Sequence, residues 1–327
     1  MADDVDEAQR GERIGVALRE PILWHDLVQL AETAEETGYE ACFVPEITGR
    51  EAFATLAGLA GVTHRLVLGT GVVPMHARRA VVTAMAAATV HDLSGGRLIL
   101  GLGTGPPAPG ALDRLRSYVA EVRTALEGRP FTPGDAPGST VELSVVPRPA
   151  PPLWIAALGE RAFTLAGEIA DGVLLNWCTP ERVRVARDIV VAAATRAGRD
   201  PAGVAVGVYV RANLADEEPV ALEALKPATA QYALMPHYRR QLEEIGLASH
   251  AGSAVRAVES GDLSAVPEEL VRELCLVGDP AAARGRLEEF RAAGADLPIV
   301  YPVPGRDAVS SMMGTVLAVA PTPVLEP

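Results

Sequence analysis

Three side chains capable of acid–base or ionic chemistry follow predicted strand ends: Glu46, His76 and Arg78. A carboxylic acid or an imidazole can pass a proton to a reacting group, and a guanidinium can pair with an anion. Each also has an ordinary interpretation: Glu46 can cap a turn, His76 can lie exposed in a loop, and Arg78 can cap the following helix. The sequence therefore predicts His76 and Glu46 as candidate proton donors and Arg78 as a candidate contact for an anionic cofactor.

Glycine-rich turns follow two of the predicted strands. The first reads Gly69-Thr70-Gly71-Val72-Val73-Pro74, and the second contains Gly103, Thr104 and Gly105. Glycine lets the backbone bend sharply and approach a flat ligand closely, although a tight turn between strand and helix needs the same residues. On these residues alone, ligand binding and a plain turn remain open alternatives.

Two further segments carry polar groups at strand ends. The segment Ala157-Leu158-Gly159-Glu160-Arg161 opens a helix, and the free N–H groups of a helix start can bind a phosphate. Arg161 can add positive charge there or lie solvated in the first turn. Asn176, Trp177 and Cys178 end another strand, and Cys178 is expected to pack rather than react, since nothing near it in sequence would lower its pKa.

The elements that must position these residues alternate between short apolar strands and amphipathic helices. Eight strands are predicted: Arg13–Arg19, Tyr39–Pro45, Leu66–Val73, Leu98–Leu102, Leu153–Ala157, Gly172–Asn176, Val204–Arg211 and Leu297–Val303. Such alternation implies a parallel sheet, and eight strands imply an α/β fold of the (β/α)₈ TIM-barrel class, with a doubly wound open sheet as the alternative. In a barrel the active site lies at the C-terminal strand ends, where the residues above fall.

A mostly helical segment, about 217–273, follows the seventh strand. It is predicted to be a helical insertion, either an ordinary one or a lid that covers the active-site mouth and excludes water. Residues 1–12 are predicted to be a disordered tail, and residues 13–327 a single barrel domain. The chain after the last strand is interpreted as a tail that ends in Pro-rich sequence.

The composition argues against several functions. The 327 residues carry 29 Lys and Arg against 42 Asp and Glu, a formal charge of −13, so neither nucleic acid nor a membrane surface is an expected partner. The three cysteines, the lack of a long apolar run and the acidic start predict a cytoplasmic protein without disulfides. The six histidines lack metal-ligand spacing, so no metal site is expected.

Four segments, in this order, resemble the luciferase-like monooxygenase superfamily: GTGVVP at 69–74, SGGRLILGLGTG at 94–105, AALGERAFTLAGEIADGVLLNW at 156–177, and YALMPHYRRQLEEIGL at 232–247. They look most like the branch that uses the deazaflavin coenzyme F420. The resemblance covers nearly the whole chain, from Ile14 to Val303.

The resemblance implies a set of cofactor contacts. A non-prolyl cis peptide bond at Gly71–Val72, continued by Val73, would form a bulge behind the deazaflavin ring. Gly103, Thr104 and Gly105 would lie beside the ring and its ribityl chain. The helix start at 157–161 would take the phosphate, and 176–178 would contact the ring edge. The expected cofactor is coenzyme F420, with FMN as the alternative.

Two departures bear on the reaction. The sugar-phosphate dehydrogenases of this family carry a His after the strand-two carboxylate, where this chain has Ile47, and a Glu after the strand-four glycines, where it has Pro106. Sugar-phosphate oxidation is therefore not expected. The sequence predicts an F420-dependent oxidoreductase that reduces an activated C=C or C=N bond of a small molecule or modified peptide. The alternatives are an FMN-dependent monooxygenase and a non-catalytic ligand-binding barrel.

A homodimer is a further expectation of the resemblance. It rests on the apolar, Ala-rich helices predicted at Glu51–Gly61 and Ala80–Val90.

Overall fold

The structure is a computed structural model that describes residues 13–19 and 22–321. The predicted tail at 1–12 lies outside these residues. The strands are β1 (Gly15–Ala17), β2 (Ala41–Val44), β3 (Val67–Thr70), β4 (Val73–Pro74), β5 (Leu98–Gly103), β6 (Leu153–Ala156), β7 (Gly172–Asn176), β8 (Ala205–Asn213), β9 (Cys275–Val277) and β10 (Leu297–Pro302).

Helices alternate with these strands along the chain. They are α1 (Trp24–Glu36), α2 (Ala52–Ala60), α3 (Ala80–Leu93), α4 (Ala111–Leu126), α5 (Glu160–Ile169), α6 (Pro180–Arg196), α7 (Glu218–Leu234), α8 (Pro236–Glu244), α9 (Ala248–Ser260), α10 (Glu268–Leu274), α11 (Pro280–Ala292) and α12 (Ala308–Ala318). Short 3₁₀ helices occupy Met75–Ala77, Pro201–Gly203 and Leu263–Ala265.

The chain divides into two compact units. The central unit contains Ala41–Leu174 and Ile189–Ala205. The terminal unit contains the described residues up to Glu40, Leu175–Asp188, and the described residues from Val206 onward. The prediction of a single domain stays a prediction.

In the central unit, parallel strands follow the order β2, β3, β5, β6 and β7. The short β4 pairs with the end of β5, with Val73 opposite Leu102. Close packing explains a glycine in this sheet. A Cβ on Gly69 would lie 2.4 Å from the ring of Phe43, which in turn lies 5.7 Å from the ring of Trp154. Gly69 therefore makes room for an aromatic core.

In the terminal unit, β10 pairs in parallel with both β1 and β8, and β8 pairs with β9. The helices α7 to α10 form the insertion predicted at about 217–273. They share an apolar cluster with Trp177, Cys275 and Val303, which follow or begin strands of this unit. The insertion is therefore anchored to strand ends, while its role as a lid stays a prediction.

The eight predicted strands are confirmed, with small shifts at their ends. The predicted strand Leu66–Val73 is divided into β3 and β4, because the chain turns at Gly71 and Val72. Outside the named strands, Val141 makes an antiparallel bridge to Phe131.

Two elements are absent from the sequence interpretation. The short strand β9 follows α10 without a break, and α12 lies where a Pro-rich tail was expected, so that expectation was wrong. Asp307 caps α12, since its side chain accepts a hydrogen bond from the backbone N–H of Ser310 at 2.8 Å. Within the described ranges, no helix combines the length and apolar character needed to cross a membrane.

Candidate functional site

The candidate residues of the central unit include an ion pair between Glu46 and Arg78. Arg78 Nη2 lies 2.7 Å from Glu46 Oε2 and 2.5 Å from Glu51 Oε1. The same Glu46 oxygen accepts a hydrogen bond from the backbone N–H of Ala52, the first residue of α2, at 2.9 Å. Glu46 thus helps to start α2, and its role as a proton donor stays a prediction.

Arg78 is largely enclosed by these partners. Its side chain is 19% exposed, and its guanidinium carbon lies 5.3 Å from the centre of the Phe53 ring. The carboxylates of Glu46 and Glu51 raise the pKa of Arg78 against the opposing effect of burial, which is the largest influence. Its Nε is buried and has no hydrogen-bond partner within the described ranges. Arg78 therefore keeps one free donor for the anionic contact predicted from the sequence.

The turn after β3 has the backbone form that the family resemblance implied. The peptide bond Gly71–Val72 is cis, so that prediction is confirmed. Thr70 fixes the strand before the turn, because its hydroxyl donates to the carbonyl of Gly101 and accepts from the N–H of Gly101, both at 2.8 Å. A Cβ on Gly101 would lie 2.1 Å from the Thr70 carbonyl oxygen, and one on Gly103 would lie 2.7 Å from Val72 Cγ2.

These distances give the strand-end glycines a packing role. β5 can lie against the turn at residues 70–72 only where it carries no side chain. The contacts of Gly71, Val72, Val73 and Gly103 with a cofactor stay predictions.

His76 lies against the second glycine-rich turn. It is an exposed residue of the 3₁₀ helix Met75–Ala77. A Cβ on Gly105 would lie 2.0 Å from His76 Nδ1, and Gly105 has a φ of +72°, a conformation that favours glycine. The neighbouring Thr104 hydroxyl donates to the Gly105 carbonyl at 3.1 Å. The structure thus brings His76 to the end of β5, where Gly103, Thr104 and Gly105 were predicted to act.

The two predicted proton donors are not joined to each other. His76 and Glu46 share no hydrogen bond in the part of the chain that the structure describes.

The segment Ala157–Arg161 opens α5 as predicted. Gly159 precedes the helix with extended backbone, and its side-chain position faces open space. The N–H groups of Ala162 and Phe163 bond to the Gly159 carbonyl, which leaves earlier N–H groups outside the helical pattern. Glu160 and Arg161 are exposed. This helix start has the form that suits a phosphate, but its occupant is a prediction.

The candidate residues of the terminal unit start at Asn176 and Trp177. Trp177 is 2% exposed and adopts a φ of +53°, in the left-handed region that non-glycine residues rarely occupy. Gln241 of α8 holds this turn, because its Nε2 donates to the carbonyls of Asn176 at 3.0 Å and Trp177 at 2.5 Å. The Asn176 side chain donates from Nδ2 to the Tyr238 hydroxyl at 2.7 Å. The segment 232–247, singled out by resemblance, therefore supports the end of β7.

Cys178 is buried in the same turn. Burial raises the pKa of its thiol to about 12, despite the opposing charges of Arg182 and Arg211. A thiol in that state is not a nucleophile near neutral pH. The packing role expected for Cys178 agrees with its position, and its contact with a cofactor stays a prediction.

A further residue near Asn176 was not among the predicted site residues, although it lies at the end of a predicted strand. Arg211 of β8 is 5% exposed, and its Nη1 donates a hydrogen bond to Asn176 Oδ1. Its guanidinium carbon lies 4.5 Å from the ring centre of Trp177 and 4.4 Å from that of Tyr301. The available signal was a single charged residue directly after the apolar run VGVYV at 206–210, but its aromatic partners are far apart in sequence.

Metal chemistry has no evident site among the described residues. They contain no group of three or more His, Cys, Asp or Glu side chains arranged to hold a metal ion.

The chain is similar to several known proteins. The profile of a family described as luciferase-like monooxygenase matches residues 10–297. The 5,10-methylenetetrahydromethanopterin reductase of Methanolobus tindarius is 27% identical over 292 residues, covering 84% of this chain and 89% of that protein.

Two solved structures share the fold. The coenzyme F420-dependent tetrahydromethanopterin reductase of Methanopyrus kandleri gives a TM-score of 0.80 at 23% identity, covering 96% of this chain and 99% of that one. An F420-dependent secondary alcohol dehydrogenase, in complex with an F420–acetone adduct, gives 0.76 at 19% identity, covering 94% and 99%.

The alternation of strands and helices, with candidate residues at the strand ends, and these structural likenesses define a (β/α)₈ barrel of the TIM class. The predicted fold class is therefore confirmed. Because the family profile matches most of the chain, the protein belongs to the luciferase-like monooxygenase family.

Proposed function

We propose that the protein is an F420-dependent oxidoreductase that transfers a hydride between the deazaflavin and a small-molecule or peptide substrate. The observation that carries this proposal is the match along most of the chain to proteins whose names specify such chemistry. One is a methylenetetrahydromethanopterin reductase, and two solved structures are named as F420-dependent enzymes. The cofactor would supply the hydride chemistry, while the protein binds and orients it.

Within the central unit, we propose three roles: binding of the cofactor phosphate, close approach of the ring, and donation of a proton. The open helix start at Gly159 would bind the cofactor phosphate through backbone N–H groups. The glycine-lined end of β5 would let the ring approach the backbone. His76, exposed beside Gly105, would donate the proton that accompanies hydride transfer.

Within the terminal unit, Asn176, Trp177 and Cys178 are proposed to contact the ring edge. Their turn is fixed by Gln241 and Tyr238, so its shape is set before any ligand binds.

We further propose that the reaction is reduction of an activated C=C or C=N bond. The two positions at which related sugar-phosphate dehydrogenases carry an acid–base pair hold Ile47 and Pro106. Both residues are exposed, and neither side chain can transfer a proton.

A turnover experiment tests the direction of the reaction. Reduced F420 is mixed with the protein and a panel of imines, iminium ions and α,β-unsaturated carbonyl compounds, and its oxidation is followed by absorbance. In parallel, oxidised F420 is mixed with secondary alcohols and a sugar phosphate. We expect turnover in the first set. Turnover confined to the alcohols or the sugar phosphate would contradict the proposed direction.

A further inference from the structure

Arg211 is a buried cation without an acidic partner among the described residues. Its side chain is 5% exposed, and its guanidinium makes one hydrogen bond, to the neutral amide oxygen of Asn176. No carboxylate of the described chain forms an ion pair with it. Of its five N–H donors, those on Nε and Nη2 have no partner among these residues.

Aromatic rings form the walls around this cation. The guanidinium carbon lies 4.4 to 5.9 Å from the ring centres of Tyr301, Trp177, Tyr232 and Tyr209. Such cation–π contacts favour the charged guanidinium, but they do not satisfy its N–H donors. The surroundings therefore stabilise the positive charge and leave its hydrogen-bonding edge free.

A second buried donor lies beside Arg211. The indole Nε1 of Trp177 is buried without a hydrogen-bond partner in the described part of the chain, and Trp177 is 2% exposed. Buried donors without acceptors are rare in folded proteins, since each has lost its hydrogen bonds to water without a replacement. Since the Arg211 guanidinium carbon lies 4.5 Å from the Trp177 ring centre, the free edge of Arg211 and this unpaired indole N–H are close enough to serve one acceptor group.

We propose that Arg211 binds a carboxylate group of the substrate through Nε and Nη2, with Trp177 as a second donor residue. The assignment to the substrate rests on the proposed function, whereas the anion site itself rests only on the residues above. The site also offers a reason why an acidic protein, with a formal charge of −13, could admit an anionic ligand.

The chemistry of the site favours a carboxylate over a phosphate. One guanidinium balances the single charge of a carboxylate, whereas a phosphate dianion would leave an excess negative charge among buried aromatic rings. The free Nε–Nη2 edge is planar and matches the two oxygens of a carboxylate.

Trp177 provides the readout for the test. The protein without cofactor is titrated with sodium acetate or sodium benzoate, and sodium chloride keeps the ionic strength constant. Tryptophan fluorescence is recorded, and sodium phosphate is titrated in the same way. We expect a saturable change with both carboxylates and none with phosphate or with chloride alone.

Variants assign the response to the site. Arg211→Gln should abolish it, and Arg211→Lys should weaken the apparent affinity about tenfold, because a lysine keeps the charge without the bidentate edge. Trp177→Phe should remove the signal, although Trp24 and Trp154 remain. Arg240→Gln is the matched control, since the Arg240 side chain is 81% exposed, and it should leave the response unchanged. Circular dichroism checks that each variant is folded.

The outcomes separate three accounts. No saturable acetate response in the wild type, or a response that persists in Arg211→Gln, would overturn the carboxylate site. A response to phosphate equal to that to acetate would overturn the choice of carboxylate.

The dissociation constant for F420 should differ less than twofold between wild type and Arg211→Gln. A tenfold loss would assign the anion to the cofactor and overturn the assignment to the substrate. Because the acetate titration contains no cofactor, it can succeed even where the proposed function fails.

Discussion

Nη2 of Arg78 lies 2.7 Å from Oε2 of Glu46, with the two side chains only 19% and 12% exposed. A pair this enclosed is screened less by water than a surface pair, so its loss should be measurable. We expect Glu46→Gln to lower the free energy of unfolding by about 1–2 kcal/mol, because Arg78 would keep only Glu51 as a charged partner. Urea denaturation measures the change.

The matched control for this variant is Glu127→Gln. The Glu127 side chain is 39% exposed and pairs with Arg129, which is 62% exposed, so its loss should change stability by no more than about 0.5 kcal/mol. Equal effects of the two substitutions would contradict the structural role assigned to Glu46.

Gly105→Ala should move His76 and destabilise the protein by about 1–2 kcal/mol. The new methyl group would lie 2.0 Å from His76 Nδ1 in a conformation with a φ of +72°. Combining it with His76→Ala should recover the part of the loss that comes from the clash, which a double-mutant cycle measures. Gly285→Ala in α11 is the control, because open space surrounds it, and it should stabilise by up to about 1 kcal/mol. An additive cycle would show that His76 does not contact Gly105.

Much of this fold follows from the sequence, because apolar runs and helix stops are local signals. The strand Gly172–Asn176, for example, was predicted with the same first and last residues that β7 has. The helix α12 was missed although Asp307 carries a capping signal, since the Pro residues near the chain end dominated the interpretation. The strand β9 has three residues and continues the apolar pattern of α10, so periodicity cannot separate them.

Alkaline pH should destabilise the protein through its buried thiols. Burial raises the pKa of Cys42, Cys178 and Cys275 from 9.0 to about 12. The folded state thus holds these protons more tightly than the unfolded state. The stability is fully present below pH 9 and is lost as the pH rises from 9 to 12. At pH 10 the loss is about 1 kcal/mol for each thiol.

Urea denaturation at pH 8, 9 and 10 in a reducing buffer measures this dependence. Cys42→Ala lowers the stability at every pH but should flatten the slope above pH 9, because one raised thiol is gone. A slope identical to that of the wild type would contradict the role of Cys42 burial.

Gln241→Ala should loosen the turn at Asn176 and Trp177. The substitution leaves two backbone carbonyls without their buried donor, which costs about 1–3 kcal/mol. Amide hydrogen exchange should accelerate in α8 (Pro236–Glu244), and the fluorescence of Trp177 should change. Gln231→Ala, at an exposed position of α7, should do neither. Unchanged exchange in α8 would show that another contact holds the turn.

The candidate site was less predictable than the fold, because its contacts join distant parts of the chain. Residues that end a strand could be named from the alternation, and Asn176 and Trp177 were found in this way. What distinguishes Arg211 is its contact with the rings of Tyr232 and Tyr301, which are far from it in sequence. A local sequence pattern cannot predict that a buried arginine is surrounded by aromatic rings and has no carboxylate partner among the described residues.

The identity of the cofactor is the central claim, and direct binding tests it. The purified protein is titrated with oxidised F420 and, in parallel, with FMN by isothermal titration calorimetry under the same conditions. We expect saturable binding of F420 and an affinity for FMN at least tenfold weaker. Tight binding of FMN without binding of F420 would contradict the proposal and favour the flavin-dependent monooxygenase alternative.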